Sequence, residues 1–256
     1  MKVLIKTSDE IKRLRESGER LAQVMESVVA AVCPGIETLA LDVLTEKLIR
    51  SAGGIPIFKG YNAGSERPFP ASLCASINQE VVHGIPSAKK IVRDGDLLKL
   101  DIGMRFAGMV TDMARTVRVG KVSPEANILA AVTEASLQKG VAELRPGVRI
   151  SRYARAVQKF VEAQGFSVVR DLTSHGVGRE LHEAPQIPNY ISRDLTDFVI
   201  CAGMTFALEP MVNMGTFSVK LASDNWTFVT ADGKWSAHFE DTVVITKDGA
   251  EVVTKC

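Results

Sequence analysis

Leu97-Leu98-Lys99-Leu100-Asp101-Ile102-Gly103, followed by Met109-Val110-Thr111-Asp112-Met113-Ala114, is the stretch from which the fold can be read. Residues 97–102 form a short apolar run, and residues 110–119 alternate as a half-exposed strand does. Gly103 and Ala107-Gly108 lie between them, so an antiparallel hairpin is the economical connection. Each strand carries one carboxylate among apolar neighbours. Either each points outward from a half-exposed strand, or it is buried, and buried carboxylates are paired or bound to metal.

Working outward, Thr7 or Ser8 can cap a helix whose first turn holds Asp9 and Glu10. Ile11, Leu14, Leu21, Val24, Val28 and Val32 recur at helical spacing until Pro34-Gly35 stops the run. Thr38 is placed to cap a second helix with Leu41, Leu44 and Leu48, ending at Gly53-Gly54. Residues 55–70 read as loop and 72–77 as a short strand. The order then repeats. Ser123-Pro124-Glu125 starts a helix to about Leu144, and Ser151 caps another through Val157 and Phe160 to Gly165. Strands are expected at 167–170, 205–212, 226–230, 237–246 and 251–254. Two helices and then strands, twice over, predict an α+β fold rather than a doubly wound sheet. One domain over 1–256 is expected, with similar halves of about 8–120 and 121–254.

Composition excludes several classes. The chain has 256 residues, 46% of them apolar and 24% charged, as in ordinary globular proteins. A net charge of +1 gives no reason to expect nucleic acid or an anionic membrane as partner. The N-terminus has no signal-peptide core, and no apolar stretch resembles a membrane span. Cys33, Cys74, Cys201 and Cys256 are scattered, which fits reduced thiols in a cytoplasmic protein.

The remaining chemistry sits in three places. His175-Gly176-Val177-Gly178-Arg179-Glu180-Leu181-His182-Glu183 carries two of the four histidines, in a Gly-rich segment that is not the HExxH zinc helix. Glu209 interrupts Phe206-Ala207-Leu208 and Pro210-Met211-Val212, and Glu240 lies between Phe239 and Thr242-Val243-Val244-Ile245. Four carboxylates in apolar strands are hard to explain as four coincidences. Converging with a histidine, they would make an oxygen-rich site for two divalent ions such as Mn, Fe, Co or Zn. A metal pair can activate water and stabilise the oxyanion it creates.

In order and spacing the motifs are specific: Asn78-Gln79-Glu80-Val81-Val82-His83-Gly84-Ile85-Pro86, the Asp101 and Asp112 pair, Ser174-His175-Gly176-Val177-Gly178 with His182-Glu183, Gly203-Met204-Thr205-Phe206-Ala207-Leu208-Glu209-Pro210, and Ser236-Ala237-His238-Phe239-Glu240-Asp241-Thr242. From about Ser8 to Thr254 the chain resembles the type I methionine aminopeptidases of the pita-bread metallopeptidase fold, family M24. That resemblance implies pseudo-two-fold halves with helices packed on a curved antiparallel sheet. It implies that Asp101 binds one metal, His175 and Glu209 the other, and that Asp112 and Glu240 bridge them. Glu209 would be general base, with His83 and His182 hydrogen-bonded to the scissile amide. Tyr61, Phe69, Cys74 and Trp226 would line the methionine pocket, since aromatic edges and sulfur suit a thioether. His238 is extra to this set and reads as a rim or surface histidine.

The same resemblance implies removal of the N-terminal methionine from nascent polypeptides, preferably before a small second residue, by a monomer that can associate with ribosomes. Leu181 departs from an aromatic position, and residues 62–68 look longer than in compact members. The step from Glu209 to Glu240 leaves no room for the type II helical insertion. Proline-specific aminopeptidases and dipeptidases share the ligands but carry a further N-terminal domain, for which no space is expected before Thr7. A non-catalytic binding module of this fold is the other alternative, and retention of all five ligands with His83 and His182 argues against it.

Overall fold

Thr7 starts the first helix by a reciprocal cap. Its hydroxyl accepts the Glu10 N–H at 3.2 Å, and the Glu10 carboxylate accepts the Thr7 N–H at 2.8 Å. The structure is a computed structural model describing residues 3–62, 64, 67–193 and 196–256. In chain order its elements begin α1 (Ser8–Ala30), α2 (Thr38–Ser51), β1 (Ile55–Pro56), β2 (Leu73–Ile77), β3 (Glu80–Val82), β4 (Leu97–Phe106) and β5 (Met109–Arg118). They continue with α3 (Pro124–Ala142), α4 (Ser151–Ala163), β6 (Ser167–Val168), β7 (Ser174–Gly176), β8 (Glu183–Ile187) and β9 (Thr205–Leu208). The last are β10 (Met211–Asn213), β11 (Val219–Leu221), β12 (Phe228–Thr230), β13 (Ser236–His238), β14 (Asp241–Ile245) and β15 (Ala250–Val252).

Two expected caps are not used as such. Thr38 is already helical, and its hydroxyl instead accepts the Ser87 N–H at 2.9 Å and donates to the Ser87 carbonyl at 3.1 Å. Ser151 is likewise the first helical residue; Asp197 Oδ1 accepts its N–H from 46 positions away. A tertiary carboxylate thus does what a local side chain was expected to do. Ser123 caps α3 as expected, with Pro124 at its start.

The hairpin of β4 and β5 is paired along its full length, with Asp101 opposite Ala114 and Gly103 opposite Asp112. Strand alternation puts Leu98, Leu100, Ile102 and Met104 on one face, where they meet Leu21, Met25 and Val28 of α1 and Leu41 and Ile49 of α2. Asp101 therefore points the other way. Gly18 lets α1 lie close, because a Cβ there would stand 2.3 Å from the Val253 carbonyl oxygen. In the second part, α3 and α4 cover β6, β9, β10, β13 and β14 through Leu129, Tyr153, Val157, Phe206, Val212 and Val243.

The long strands expected at 205–212 and 237–246 are each interrupted. Pro210 has no N–H to give a ladder, so β9 ends before Glu209 and β10 starts after Pro210. Phe239 and Glu240 separate β13 from β14, and Glu240 pairs with Ala114 through an isolated bridge of 3.0 and 3.2 Å. That bridge joins the β4–β5 hairpin to the five-stranded sheet ordered β15-β14-β9-β7-β8. Every strand pairing among the described residues is antiparallel. Among the described residues no helix is long and apolar enough to cross a membrane.

Candidate metal centre and substrate cleft

The interruptions put carboxylates at strand ends facing the hairpin. Asp101, Asp112, His175, Glu209 and Glu240 all line one cavity. Ligand atoms of Asp112, His175 and Glu240 lie within 4.8 Å of one another. His175 Nε2 is 3.4 Å from Glu209 Oε1. The backbone fixes these side chains. Thr242 Oγ1 accepts the Asp112 N–H at 2.9 Å and donates to the Asp112 carbonyl at 2.8 Å. Ser174 Oγ accepts the Glu209 N–H at 2.9 Å, and Asn189 donates to the Glu209 carbonyl at 3.2 Å. Ser174 and Tyr153 both donate to Asn189 Oδ1 at 2.7 Å, completing a buried network below Glu209.

Burial without a counter-charge dominates the electrostatics. Desolvation pushes Asp101 up to about 7 and Asp112, Glu209 and Glu240 well above the carboxylate range, and their mutual repulsion adds to it for the last three. His175 is driven down to about 3 by the same burial, so its imidazole is neutral. Its Nδ1–H donates to the Gly176 carbonyl at 2.9 Å, which leaves Nε2 with a lone pair facing the acids. Asp101 Oδ1, Asp112 Oδ1 and Glu240 Oε1 are buried with no hydrogen-bond partner. Divalent cations would satisfy these atoms and remove the repulsion, so the residues fit divalent metal.

The same cavity is walled by Tyr61, Phe69, Cys74 and Trp226, with Phe58 and Leu181 beside them. The Phe69 N–H donates to the Tyr61 carbonyl and the Gly60 N–H to the Phe69 carbonyl, both at 2.8 Å, closing the loop that presents both rings. Residues 63, 65 and 66 of the 62–68 segment lie outside the described residues. Trp226 meets Phe69 edge-on at 5.3 Å and donates its indole N–H to the Arg67 carbonyl at 3.0 Å. Burial raises the Cys74 thiol well above its usual range, so it serves as a small apolar wall.

His83 and His182 flank the acids. His83 stands in the left-handed region at φ 58°, and Thr227 Oγ1 donates to its carbonyl at 3.3 Å. Burial pushes its imidazole down to about 4. The His182 ring is exposed at the mouth, 4.3 Å from the His175 ring, with Nδ1 2.5 Å from the Tyr61 hydroxyl. His238 corrects the sequence reading. It is 1% exposed rather than on the rim, its ring nitrogens have no hydrogen-bond partner, and Nε2 lies 3.6 Å from Glu209 Oε2. All three residues of β13 are buried, so His238 lies inside, beside Glu209. Phe58 and the Tyr153–Asn189–Ser174 network were also not anticipated; Phe58 lay in a segment read as loop, and the network joins distant polar residues that carry no local pattern.

Residues 12–247 match the model of metallopeptidase family M24. The chain belongs to that family. It is 44% identical over 253 residues to "Methionine aminopeptidase 1" of Bacillus subtilis, covering 99% of each chain. A methionine aminopeptidase of Clostridium acetobutylicum is 41% identical over 254 residues. Among solved structures, a methionine aminopeptidase from Thermotoga maritima superposes with a TM-score of 0.95 at 38% identity over the whole of both chains. The prolidase of Pyrococcus furiosus shares the fold at TM-score 0.75 and 21% identity, and this chain spans only 65% of it. The fold is therefore the α+β pita-bread arrangement of family M24 enzymes.

Proposed function

We propose that this chain is a methionine aminopeptidase that hydrolyses the first peptide bond of polypeptides beginning with methionine. The observation that carries the reading is one cavity in which an aromatic and thiol-lined cleft ends on the carboxylate and histidine cluster. Relatives about 40% identical over essentially the whole chain support it.

Asp101, Asp112, His175, Glu209 and Glu240 would hold two divalent ions drawn from Co, Mn, Fe or Zn. Such ions would lower the pKa of a water and polarise the peptide carbonyl. The methionine side chain enters between Tyr61, Phe69, Cys74 and Trp226. Glu209, held at its backbone by Ser174 and Asn189, takes the proton from the attacking water and returns it to the leaving nitrogen. Tyr61, whose phenol burial keeps protonated, donates to His182 Nδ1, so His182 Nε2–H is available to the carbonyl oxygen as charge develops. The His83 ring, edge-on to Trp226 at 6.5 Å, is the group proposed to meet the scissile N–H. On this reading the chain acts as a monomer in the cytoplasm on nascent polypeptides with a small second residue.

The test is to incubate metal-loaded protein with Met-Ala-Ser and with Xaa-Pro peptides. Free methionine from the first and no cleavage of the second is expected. Release of residues preceding proline without methionine release overturns the reading. No cleavage with any of the four metals favours a binding module.

A further inference from the structure

Lys6 is a buried cation outside the carboxylate cluster. Its side chain is 1% exposed, and Nζ lies 2.5 Å from Glu183 Oε2. The other oxygen of Glu183 is also occupied: Oε1 accepts the N–H of Arg179 at 2.6 Å and of Glu180 at 3.1 Å. These contacts close the turn from 179 to 183 on itself, and His182 belongs to that turn. The imidazole leaves it toward the cleft, where Tyr61 and His175 meet it.

Lys6 is itself fixed. Its N–H donates to the Gly203 carbonyl at 2.8 Å. Gly178, at φ +142°, has no side chain, and a Cβ there would stand 2.5 Å from Lys6 Cε. The turn and the segment before α1 therefore occupy space that any other residue at 178 would take. Arg179 adds an outer pin through Glu10, with Nε–Oε1 at 2.7 Å, although that pair is exposed and contributes little.

A buried ion pair is a poor net stabiliser, because dehydrating two charges offsets their attraction. An apolar pair would fasten the segment to the turn equally well. What the charges add is an oriented carboxylate held against two backbone N–H groups, and charge-assisted bonds of this kind are short and directional. We propose that Lys6 is a positioning residue for His182, acting through Glu183 to hold the turn that aims the imidazole at the scissile amide. The proposal rests on the peptidase reading above.

The experiment is a double-mutant comparison of Lys6→Met, Glu183→Gln and Lys6→Arg with His182→Ala, using the metal-loaded full chain and a methionyl peptide. Lys6→Met is expected to lower kcat by about ten- to hundredfold, as a small misplacement of a catalytic group does. KM and the number of bound metals should hold within about twofold. Lys6→Arg, which keeps the charge, should recover most of the loss. In the His182→Ala background Lys6→Met should cost less than about twofold, because its effect runs through a ring already removed. An equal loss in both backgrounds, or a loss that tracks falling metal content, overturns the proposal. If Lys6→Met does not fold, Glu183→Gln answers the same question by the same non-additivity. Wild-type protein that releases no methionine refutes the activity instead. In that case a crystal structure of Lys6→Met still decides the positioning: the His182 ring displaced from Tyr61 supports it, and an unmoved ring overturns it.

Discussion

Asp101 and Asp112 sit on two ten-residue strands paired at every position, whereas Tyr61, His83 and His182 sit on turns held by side-chain and loop contacts. The floor of the cleft is thus fixed by a regular ladder. Its wall depends on a positive φ at His83, a closed loop around Tyr61 and Phe69, and a carboxylate buried under the 179–183 turn. A site that must keep mutually repelling carboxylates together gains from a rigid floor. One that must admit a peptide gains from a wall whose parts are fastened separately.

Substitutions can break this contrast at several depths. The largest effect is expected from Glu209→Gln, which keeps the shape of the floor and removes the proposed proton carrier. We predict a fall in kcat of about a thousandfold, read by initial rates of methionine release. A residual activity within a few-fold of wild type would remove Glu209 from the proton transfer. His182→Ala attacks the wall, and about a hundredfold loss in kcat is expected with the metals retained. Loss of metal together with activity would show that wall and floor are not separable.

Protonation sharpens the same comparison. Burial raises the folded carboxylates above their unfolded values, Asp101 to about 7 and Asp112, Glu209 and Glu240 well above the carboxylate range, which favours their protonated forms in the metal-free protein. Whatever stability those protons give is lost as pH rises through the folded values. Bound cations require the ionised forms. Apparent metal affinity should therefore rise between pH 6 and 8, by about tenfold per pH unit for each proton displaced. The gap in Tm between metal-loaded and metal-free protein should widen over the same range. Calorimetry in buffers of different ionisation enthalpy checks the proton release, and an affinity flat across that range would contradict it.

Smaller effects are expected away from the acids. Trp226→Ala opens one side of the cleft and should raise KM for a methionyl peptide by about tenfold with kcat little changed. A fall in kcat alone would mean that the ring orients rather than binds. Thr242→Val leaves the buried N–H and C=O of Asp112 without their partner, at a cost of about 1–3 kcal/mol. Denaturant unfolding measures it, and no loss would mean that water or a neighbour replaces the hydroxyl.

What was legible in the sequence follows the same division. The hairpin, α1 with its Thr7 cap, α3 with Ser123-Pro124 and the four acids in apolar strands are local patterns, and local chemistry decides them. The caps expected at Thr38 and Ser151 failed because residues far along the chain intervene: the Ser87 backbone engages the Thr38 hydroxyl, and Asp197 accepts the Ser151 N–H. β7 and β8 were not expected, residues 175–183 reading as a Gly-rich segment and 184–187 as no element, since three- and five-residue strands inside a sheet are made by their neighbours rather than by their own pattern. His238 was put on the rim or surface because nothing local marks β13 as a strand buried on both faces. Motif order named candidate ligands and pocket residues, and all of them line one cavity. Only the packing discloses the Lys6–Glu183 pair and the network beneath Glu209.

We propose that these acids would hold a pair of divalent ions, with Glu240 needed for both. Titrating Mn²⁺ or Co²⁺ into the metal-free chain near neutral pH, with wild type and Glu240→Ala side by side, tests it most directly. Two ions per wild-type chain, and loss of the tight pair in Glu240→Ala with an unchanged circular dichroism spectrum, is the expected result. A single ion in the wild type, or two ions bound equally tightly by Glu240→Ala, would contradict the account.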